Sequence, residues 1–587
     1  MSENEKTSDL DKVLTQFNVF GRYHCMFMFW SFLALASNAV FCSNFVFSAE
    51  EVAYRCKDAD FGNDTCTSLT NYTEECSEWV YENPNSFVAE FALACHDWKR
   101  TLVGTMHSFG YMVGLLLVGP MSDRLGRKLS IVITGMLGGV FGVARSFTSN
   151  YWLFVILEFL EGAIGDSCSP MFILTIEIVS SRNRLLFYIL CSFGYPFGGI
   201  LVSLTAWKFT YWRSFLRVIY LPALLFFSYL YLIDESPRWL LIKGKKDEAV
   251  EIIQNAAEKN KIKIDKTLLE KIECEREQNV NFLKLLKMTF ESKIILKRFS
   301  ICLVWWTTST FVAYGLSINS VSLKGNKYVN FALISLMDVP ANFIILLSQN
   351  YFKRKMPLIT SFLVGAILCL AHPFLPDNLS WLSLIMYMSS KLMSSFYFTI
   401  TYMFTSELFP TYTRNSMHAL CSSLGRIGSI VAPQTPLLVH YWYGLPSLVF
   451  GGVSLIAGLI TFLVPDTADN SLPDTVKQAE AIGKKDIKNT HIVRQVSEIG
   501  KKDLKNTVIV RQIGEIGKND MKNTDIVRQV SDFGKKDLKN VENGEIERKD
   551  VENNSTSELV KEDGRNDLKK PAAPEVVIAN DKDCSRL

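Results

Sequence analysis

The chain has 587 residues, 48% apolar and 12% aromatic, and its 62 basic and 59 acidic side chains leave a formal net charge of +3. That balance says little about partners, because a mixed-charge tail dilutes it, and the mean hydropathy of +0.14 averages two unlike regions. Residues from about 24 to 464 hold apolar runs of roughly 18–22 residues, long enough to cross a hydrocarbon core about 30 Å thick, whereas residues 466–587 are polar throughout. No phosphate-cradling glycine loop, paired metal-ligand spacing or placed nucleophile appears. The sequence therefore implies no enzyme, no catalytic residue, no metal site and no cofactor, and no nucleic acid partner.

Residues 1–23 are hydrophilic and read as a cytosolic N-terminus, and the first apolar run is span-length, the mark of a retained signal anchor rather than a cleaved signal. Twelve spans are predicted near 24–45, 101–121, 130–148, 152–173, 184–206 and 215–233, then near 300–321, 328–348, 358–375, 380–402, 416–438 and 444–464. Basic residues set the orientation. Arg124, Arg127, Lys128, Lys353, Arg354, Lys355 and Arg414, with the lysines of the 234–299 loop, all fall on one side, which is then cytosolic with both termini.

The loop 48–97 lies on the opposite, extracellular side and holds Cys56, Cys66, Cys76 and Cys95. Four cysteines in an exported loop predict two disulfides, with three pairings open. Asn63 and Asn71 head N-glycosylation sequons in the same loop.

Gly119-Pro-Met-Ser-Asp-Arg-Leu-Gly-Arg-Lys128 joins spans 2 and 3, so Asp123 meets Arg127 and Lys128 at a tight glycine turn. Gln349-Asn-Tyr-Phe-Lys-Arg-Lys355 occupies the corresponding place after span 8, keeping the basic pair without the acid or the glycine. Six spans (24–233), the cytosolic loop 234–299 and six more spans (300–465), with related junctions, indicate a duplicated transporter.

Three features mark the interior. Arg426 sits near mid-depth in span 11, where an arginine costs at least about 2.5–3.5 kcal/mol to insert and must face a cavity or a partner. Glu158, Glu161 and Asp166 make span 4 acidic; they are candidate coupling acids for a cation or proton, or they pair with basic groups on neighbouring spans. Trp305, Trp306 and Tyr314 in span 7, with Phe398 and Tyr402 one turn apart in span 10, supply aromatic faces that suit organic cations or flat anions.

From Phe20 to about Glu480 the chain resembles the organic cation/anion/carnitine transporter family, solute carrier family 22 of the major facilitator superfamily. The resemblance rests on Phe20-Gly-Arg-Tyr23, Cys76-Ser-Glu-Trp-Val-Tyr81, Glu90-Phe-Ala-Leu-Ala-Cys95 and the Asp123–Lys128 turn. It continues through Trp212-Arg213, Asp234-Glu-Ser-Pro-Arg-Trp-Leu240, Tyr314-Gly-Leu-Ser317, Glu407-Leu-Phe-Pro-Thr411 with Arg414, Pro465-Asp-Thr467 and Leu472-Pro-Asp-Thr475. The resemblance implies an all-α membrane protein with a 12-span major facilitator fold in two six-helix halves. It implies a cytosolic gating charge network of Asp123, Arg127, Glu177, Glu235, Arg238, Glu407 and Arg414, and a substrate cavity lined by Trp207, Trp306, Tyr314, Phe398, Tyr402 and Arg426. The Arg426 position carries an acid in the organic-cation branch and arginine in the anion and carnitine branches. Two departures stand out. Glu158 replaces the span 4 arginine of many relatives, and Asn342 stands where anion transporters place a base, with Asp338 four residues earlier. Lys391 is a further charge, read as a pocket group or a structural lysine near a helix end.

The tail 466–587 repeats every 17 residues between 482 and 540, beginning IGKKDIKNTHIVRQVSE. Its equivalent apolar residues rotate by about 100° per repeat, so no continuous stripe forms, and the composition predicts a disordered cytosolic tail. Arg494-Gln-Val-Ser497 and Arg528-Gln-Val-Ser531 resemble kinase sites, making a cytosolic kinase or scaffold a candidate partner.

The expected function is secondary transport of small organic ions across the plasma membrane by alternating access, with a carboxylate-bearing, carnitine-like zwitterion favoured. Organic anion exchange, organic cation transport and a non-transporting receptor or scaffold are the alternatives. Sodium and a counter-substrate both remain open as coupling partners.

Overall fold

The computed structural model describes residues 9–57, 76, 78–264, 268–269, 272, 291–348, 355–376, 378–410 and 414–466. The sequons at Asn63 and Asn71, Cys66, the second-half turn at 349–354 and the tail repeats lie outside the described residues, as does the side chain of Arg414.

Helices run through all twelve predicted positions. The first half begins with span 1 (Arg22–Ser43), span 2 (Asp97–Leu125) and span 3 (Arg127–Arg145). Span 4 is split into Tyr151–Ile164 and Cys168–Ile178, span 5 into Arg184–Ser192 and Gly194–Lys208, and span 6 opens with Trp212–Tyr220. The second half begins with span 7 (Lys293–Asn319), span 8 (Lys327–Leu336 and Asp338–Ser348), span 9 (Lys355–Ala371) and span 10 (Ser380–Leu408). Span 11 is broken into Arg414–Gly425 and Ile427–Val431 before a 3₁₀ stretch, and span 12 is Leu445–Thr461. Among the described residues, eight helical stretches, several of them joining adjacent pieces, are long and apolar enough to cross a membrane. Spans 4 and 11 are interrupted at Gly165–Ser167 and Arg426, and those interruptions hold the charges of interest.

Glycine decides which helices touch. Spans 2 and 4 pack backbone to backbone, for a Cβ on Gly110 would sit 2.3 Å from the Phe159 carbonyl and one on Gly162 would sit 2.4 Å from the His107 carbonyl. Small residues at helix interfaces allow this approach in a bilayer, where apolar packing alone gives little preference for one neighbour over another. The contact sets His107 of span 2 against the acids of span 4.

The loop between spans 1 and 2 carries a two-stranded antiparallel sheet, β1 (Tyr54–Cys56) and β2 (Trp79–Tyr81), with Cys56 opposite Trp79. Cys56 is bonded to Cys76, one of the pairings left open by the sequence, and Cys95 is disulfide-bonded too.

At the other end of the bundle the N-terminus is more than a polar tail. A short helix, Asp9–Leu14, buries Leu10, Val13 and Leu14, and Phe17 follows it inward. The 234–299 loop also holds structure. The helix Pro237–Ile242 is capped by the Ser236 hydroxyl, which accepts from Trp239 N–H, and Lys246–Asn260 places the Asn260 amide oxygen 2.8 Å from Tyr23 N.

Candidate functional site

Arg426 occupies the step between the two helical pieces of span 11, where its N–H reaches back only three residues to Ser423 O at 3.1 Å. Its guanidinium is buried. Nη1 donates to the Tyr314 hydroxyl at 3.1 Å, and the cation lies 4.7 Å from the Tyr111 ring centre and 5.9 Å from that of Tyr314. Among the described residues, Nε has no hydrogen-bond partner and no carboxylate lies within ion-pair distance. Hydroxyl and ring faces therefore solvate this charge without neutralising it.

Across the interface, Asp166 sits at the step in span 4, close enough to Arg426 for the charges to interact. Its carboxylate accepts from the N–H groups of Cys168 and Ser169 at 3.0 and 3.2 Å, from the Ser169 hydroxyl, and from Asn38 Nδ2 at 3.4 Å. These are the free amides of the helix start that begins at Cys168, which favour an anion there. The two halves thus present opposite charges to the same region, each at a broken helix, the usual construction of a transporter site.

The aromatic residues close the second-half side. Trp306 lies 4.7 Å from Tyr402, 6.0 Å from Phe398 and 5.3 Å from His418, centre to centre, and its Nε1 donates to Thr405 Oγ1 at 3.1 Å. Tyr402 also faces His418 at 4.6 Å and, from the first half, Phe172 at 6.3 Å. A Cβ on Gly428 would come within 2.2 Å of Thr307 O, so glycine there lets span 11 lie directly on span 7 and brings Arg426 to Tyr314.

Of the residues expected to line the cavity, Arg426, Trp306, Tyr314, Phe398 and Tyr402 gather here. Trp207 does not. It is 52% exposed at the end of span 5 and stacks on Tyr328 at 6.1 Å. Sequence reasoning missed Tyr111, Phe172 and His418. His418 lies about two helical turns before Arg426, a spacing that was legible. Lys391 pairs with Asp338 at 3.6 Å, and Ser395 also donates to Asp338, so these two charges answer each other. Asn342 reaches Ser192 of the first half at 3.3 Å.

Glu158 and Glu161 face spans 2 and 3. His107 Nδ1 is 2.9 Å from Glu161 and 3.2 Å from Glu158, and Glu158 also pairs with Arg145, every one of these groups being buried.

At the end opposite the disulfide loop, several of the charges expected in the network lie against one another. Arg127 holds Glu177 through Nε and Nη2 at 3.1 and 3.2 Å and Asp123 through Nη1 at 3.0 Å. Glu235 caps span 3, accepting from Arg127 N at 2.9 Å and Lys128 N at 3.1 Å. A Cβ on Gly126, which has φ 97°, would sit 2.3 Å from the Glu235 carboxylate, so the turn requires glycine twice over. Arg238 donates to Glu177 O at 3.2 Å and to Asp11 at 2.9 Å. Asp11 is an unforeseen member. Burial alone would raise its carboxyl, but hydrogen bonds from Ser181 and the Arg238 guanidinium hold it below the usual carboxylate range, so it stays charged at neutral pH. Glu407 ends span 10 at the same end, and its expected partner Arg414 has its side chain outside the described residues.

At the loop end the halves are closed on each other. Gln434 links Thr101 at 2.9 Å and Thr105 at 2.7 Å, Thr105 donates to Ile430 O at 3.2 Å, and Lys327 pairs with Glu50 at 2.7 Å. An open cleft above this closure, lined by Val46, Glu50, Glu51, Lys327 and His440, contains none of the residues around Arg426.

Residues 61–475 match the family profile described as "Sugar (and other) transporter". Among solved structures the chain is similar to the inward-open xylose transporter XylE of E. coli, with a TM-score of 0.51 and 19% identity over 81% of this chain and 98% of that one. XylE bound to 6-bromo-6-deoxy-D-glucose gives a TM-score of 0.52, with 19% identity over 77% of this chain and 98% of that chain. The fold is that of the major facilitator superfamily. Among curated relatives, the Drosophila melanogaster "Organic cation transporter protein" is 32% identical over 443 residues, covering 73% of this chain and 80% of that one. "Solute carrier family 22 member 2" of Homo sapiens is 31% identical over 410 residues, covering 68% and 73%. The chain belongs to the sugar (and other) transporter family and, within it, to solute carrier family 22: it is a multi-pass secondary transporter.

Proposed function

We propose that this transporter moves a carboxylate-bearing organic zwitterion, carnitine-like in its separation of charges, across the plasma membrane by alternating access. The reading is carried by one observation, a buried Arg426 that has hydroxyl and aromatic partners but no ion pair among the described residues. A carboxylate accepted by its planar fork would neutralise that charge. The cationic end then has Asp166 and the faces of Trp306, Phe398 and Tyr402 within the same region.

Two other readings are weaker. The relatives named as organic cation transporters favour a cation, and Asp166 suits one, but a simple cation would have to approach a buried arginine that has no ion pair among the described residues. A plain organic anion would use Arg426 and meet Asp166 instead. The zwitterion satisfies both charges. In this account the disulfide loop is extracellular, the termini are cytosolic, and the Thr101–Gln434 and Lys327–Glu50 contacts close the outer gate. The Asp123–Arg127–Glu177 network, with Glu235, Arg238, Glu407 and Arg414, governs the inner one.

The test compares carnitine with its methyl ester as inhibitors of labelled carnitine uptake in cells expressing the chain. The ester keeps the cation and loses the carboxylate's charge. Losing a buried charge-assisted contact worth about 2 kcal/mol or more predicts weaker inhibition by the ester, on the order of 30-fold. Equal inhibition by acid and ester would remove Arg426 from the recognition of substrate.

A further inference from the structure

We propose that His107, Glu158 and Glu161 form a buried proton-binding centre, with Arg145 as its fixed counter-charge, that couples substrate movement to protons. The proposal deepens the transporter reading and rests on it for the word coupling, though the centre itself is defined without any substrate.

Arg145 contributes one positive charge and the two carboxylates two negative ones, so with a neutral imidazole the centre carries a net charge of minus one. His107, Arg145, Glu158 and Glu161 are 4%, 0%, 0% and 1% exposed, so bulk solvent does not screen that charge. Two carboxylates that share a single imidazole nitrogen, with no solvent, cannot readily both stay ionised. One proton, held on the imidazole between Glu161 and Glu158, brings the centre to neutrality. His107 is equipped to take it. Its Nδ1 lies between the two carboxylates, and neither ring nitrogen makes a hydrogen bond of good geometry among the described residues.

Among the described residues no other charged side chain forms an ion pair with these four groups. Span 1 brings the Cys42 thiol beside the imidazole, the Phe45 ring 6.0 Å from it, and Asn44, whose amide oxygen is 3.5 Å from Arg145 Nη2. Span 6 brings Tyr220, whose ring lies 5.0 Å from the Arg145 guanidinium and whose hydroxyl accepts from Asn44 at 2.9 Å. Spans 2 and 4 bring Tyr111 and Asp166 one step further on. An alkali cation is the poorer fit, because one carboxylate is already taken by Arg145 and one of the three donors is nitrogen. The proton is the cargo that matches.

The centre also has a physical connection to the substrate region. Cys42 lies 3.8 Å from the Asn38 amide oxygen, Asn38 donates to Asp166, and Asp166 faces Arg426. Span 2, which carries His107, is the helix whose Thr101 and Thr105 close on Gln434 of span 11. Gaining or losing the proton thus changes the charge on the helix pair that meets the second half at both the site and the outer closure.

Two measurements on the purified full-length chain test this. In substrate-free titration carried from about pH 5 to 11, wild-type protein is expected to release one proton that His107→Gln does not, on the alkaline side of neutrality, because the two buried carboxylates hold it on the imidazole. In proteoliposomes, an inwardly directed proton gradient is expected to raise labelled carnitine accumulation severalfold. His107→Gln should lose that response while still exchanging carnitine at symmetric pH. If His107→Gln does not reach the bilayer, Glu161→Gln, which keeps shape and removes one acid, is read in the same two assays. Coincident titration curves would overturn the centre, and so would a full gradient response in a variant. A titration difference in protein that moves no carnitine under any condition would support the centre and refute the zwitterion reading instead.

Discussion

Replacing Arg426 by Gln is expected to lower carnitine uptake by at least about 30-fold, with surface expression retained. The side chain is buried and reaches only the Tyr314 hydroxyl and the Tyr111 and Tyr314 rings, so no ion pair among the described residues loses its partner when it goes. What is lost is the clamp on the substrate carboxylate, and truncating one side of a buried charge-assisted pair costs about 2–5 kcal/mol. Lys should not restore it, because a point charge cannot reproduce a planar two-pronged fork held over a tyrosine face. The same Gln variant should accept tetraethylammonium better than wild type, since the repelling charge is gone while Asp166 and the aromatics remain. Uptake of both probes, normalised to surface protein, checks the two halves of this expectation together.

Glu158→Ala is expected to be the most damaging single change in the first half, and for a different reason. Arg145 is fully buried, and its fixed partner is Glu158. Removing one member of such a pair leaves an uncompensated charge and costs about 3–5 kcal/mol, a large share of a net stability of about 5–15 kcal/mol, so the yield of folded protein should fall sharply. The double variant Arg145→Met with Glu158→Gln removes the orphaned charge and should recover much of the monodisperse, detergent-solubilised protein. Fluorescence-detected size exclusion would read both. Recovery in the double variant would assign the loss in the single variant to charge burial rather than to packing.

Much of this was legible in the sequence because charges in apolar runs are conspicuous. Arg426, Glu158, Glu161 and Asp166 stood out on that ground alone. The turn at Gly126 was legible too, although the reason for its glycine was not: Glu235, more than a hundred residues away, fills the space a side chain would need. Partners across helices were hidden. His107 has no spacing relation to Glu158, and the two meet only because Gly110 and Gly162 let their helices touch. Asp11 was hidden by its setting, since a hydrophilic N-terminus reads as solvated until Val13 and Phe17 are found inside the bundle. Trp207 illustrates the converse, an aromatic singled out in the sequence whose ring is half exposed at the end of span 5 and stacks on Tyr328. Asp338 and Lys391 were visible separately, and only their pairing shows that neither is left over for substrate.

The charge carried by the substrate decides what Arg426 does. Uptake of labelled carnitine, an aromatic carboxylate and tetraethylammonium, measured side by side in cells expressing the chain with surface expression confirmed, tests it most directly. Carnitine is expected to enter best, the aromatic carboxylate to compete with it, and tetraethylammonium to enter poorly. Robust tetraethylammonium uptake that no carboxylate inhibits would contradict it.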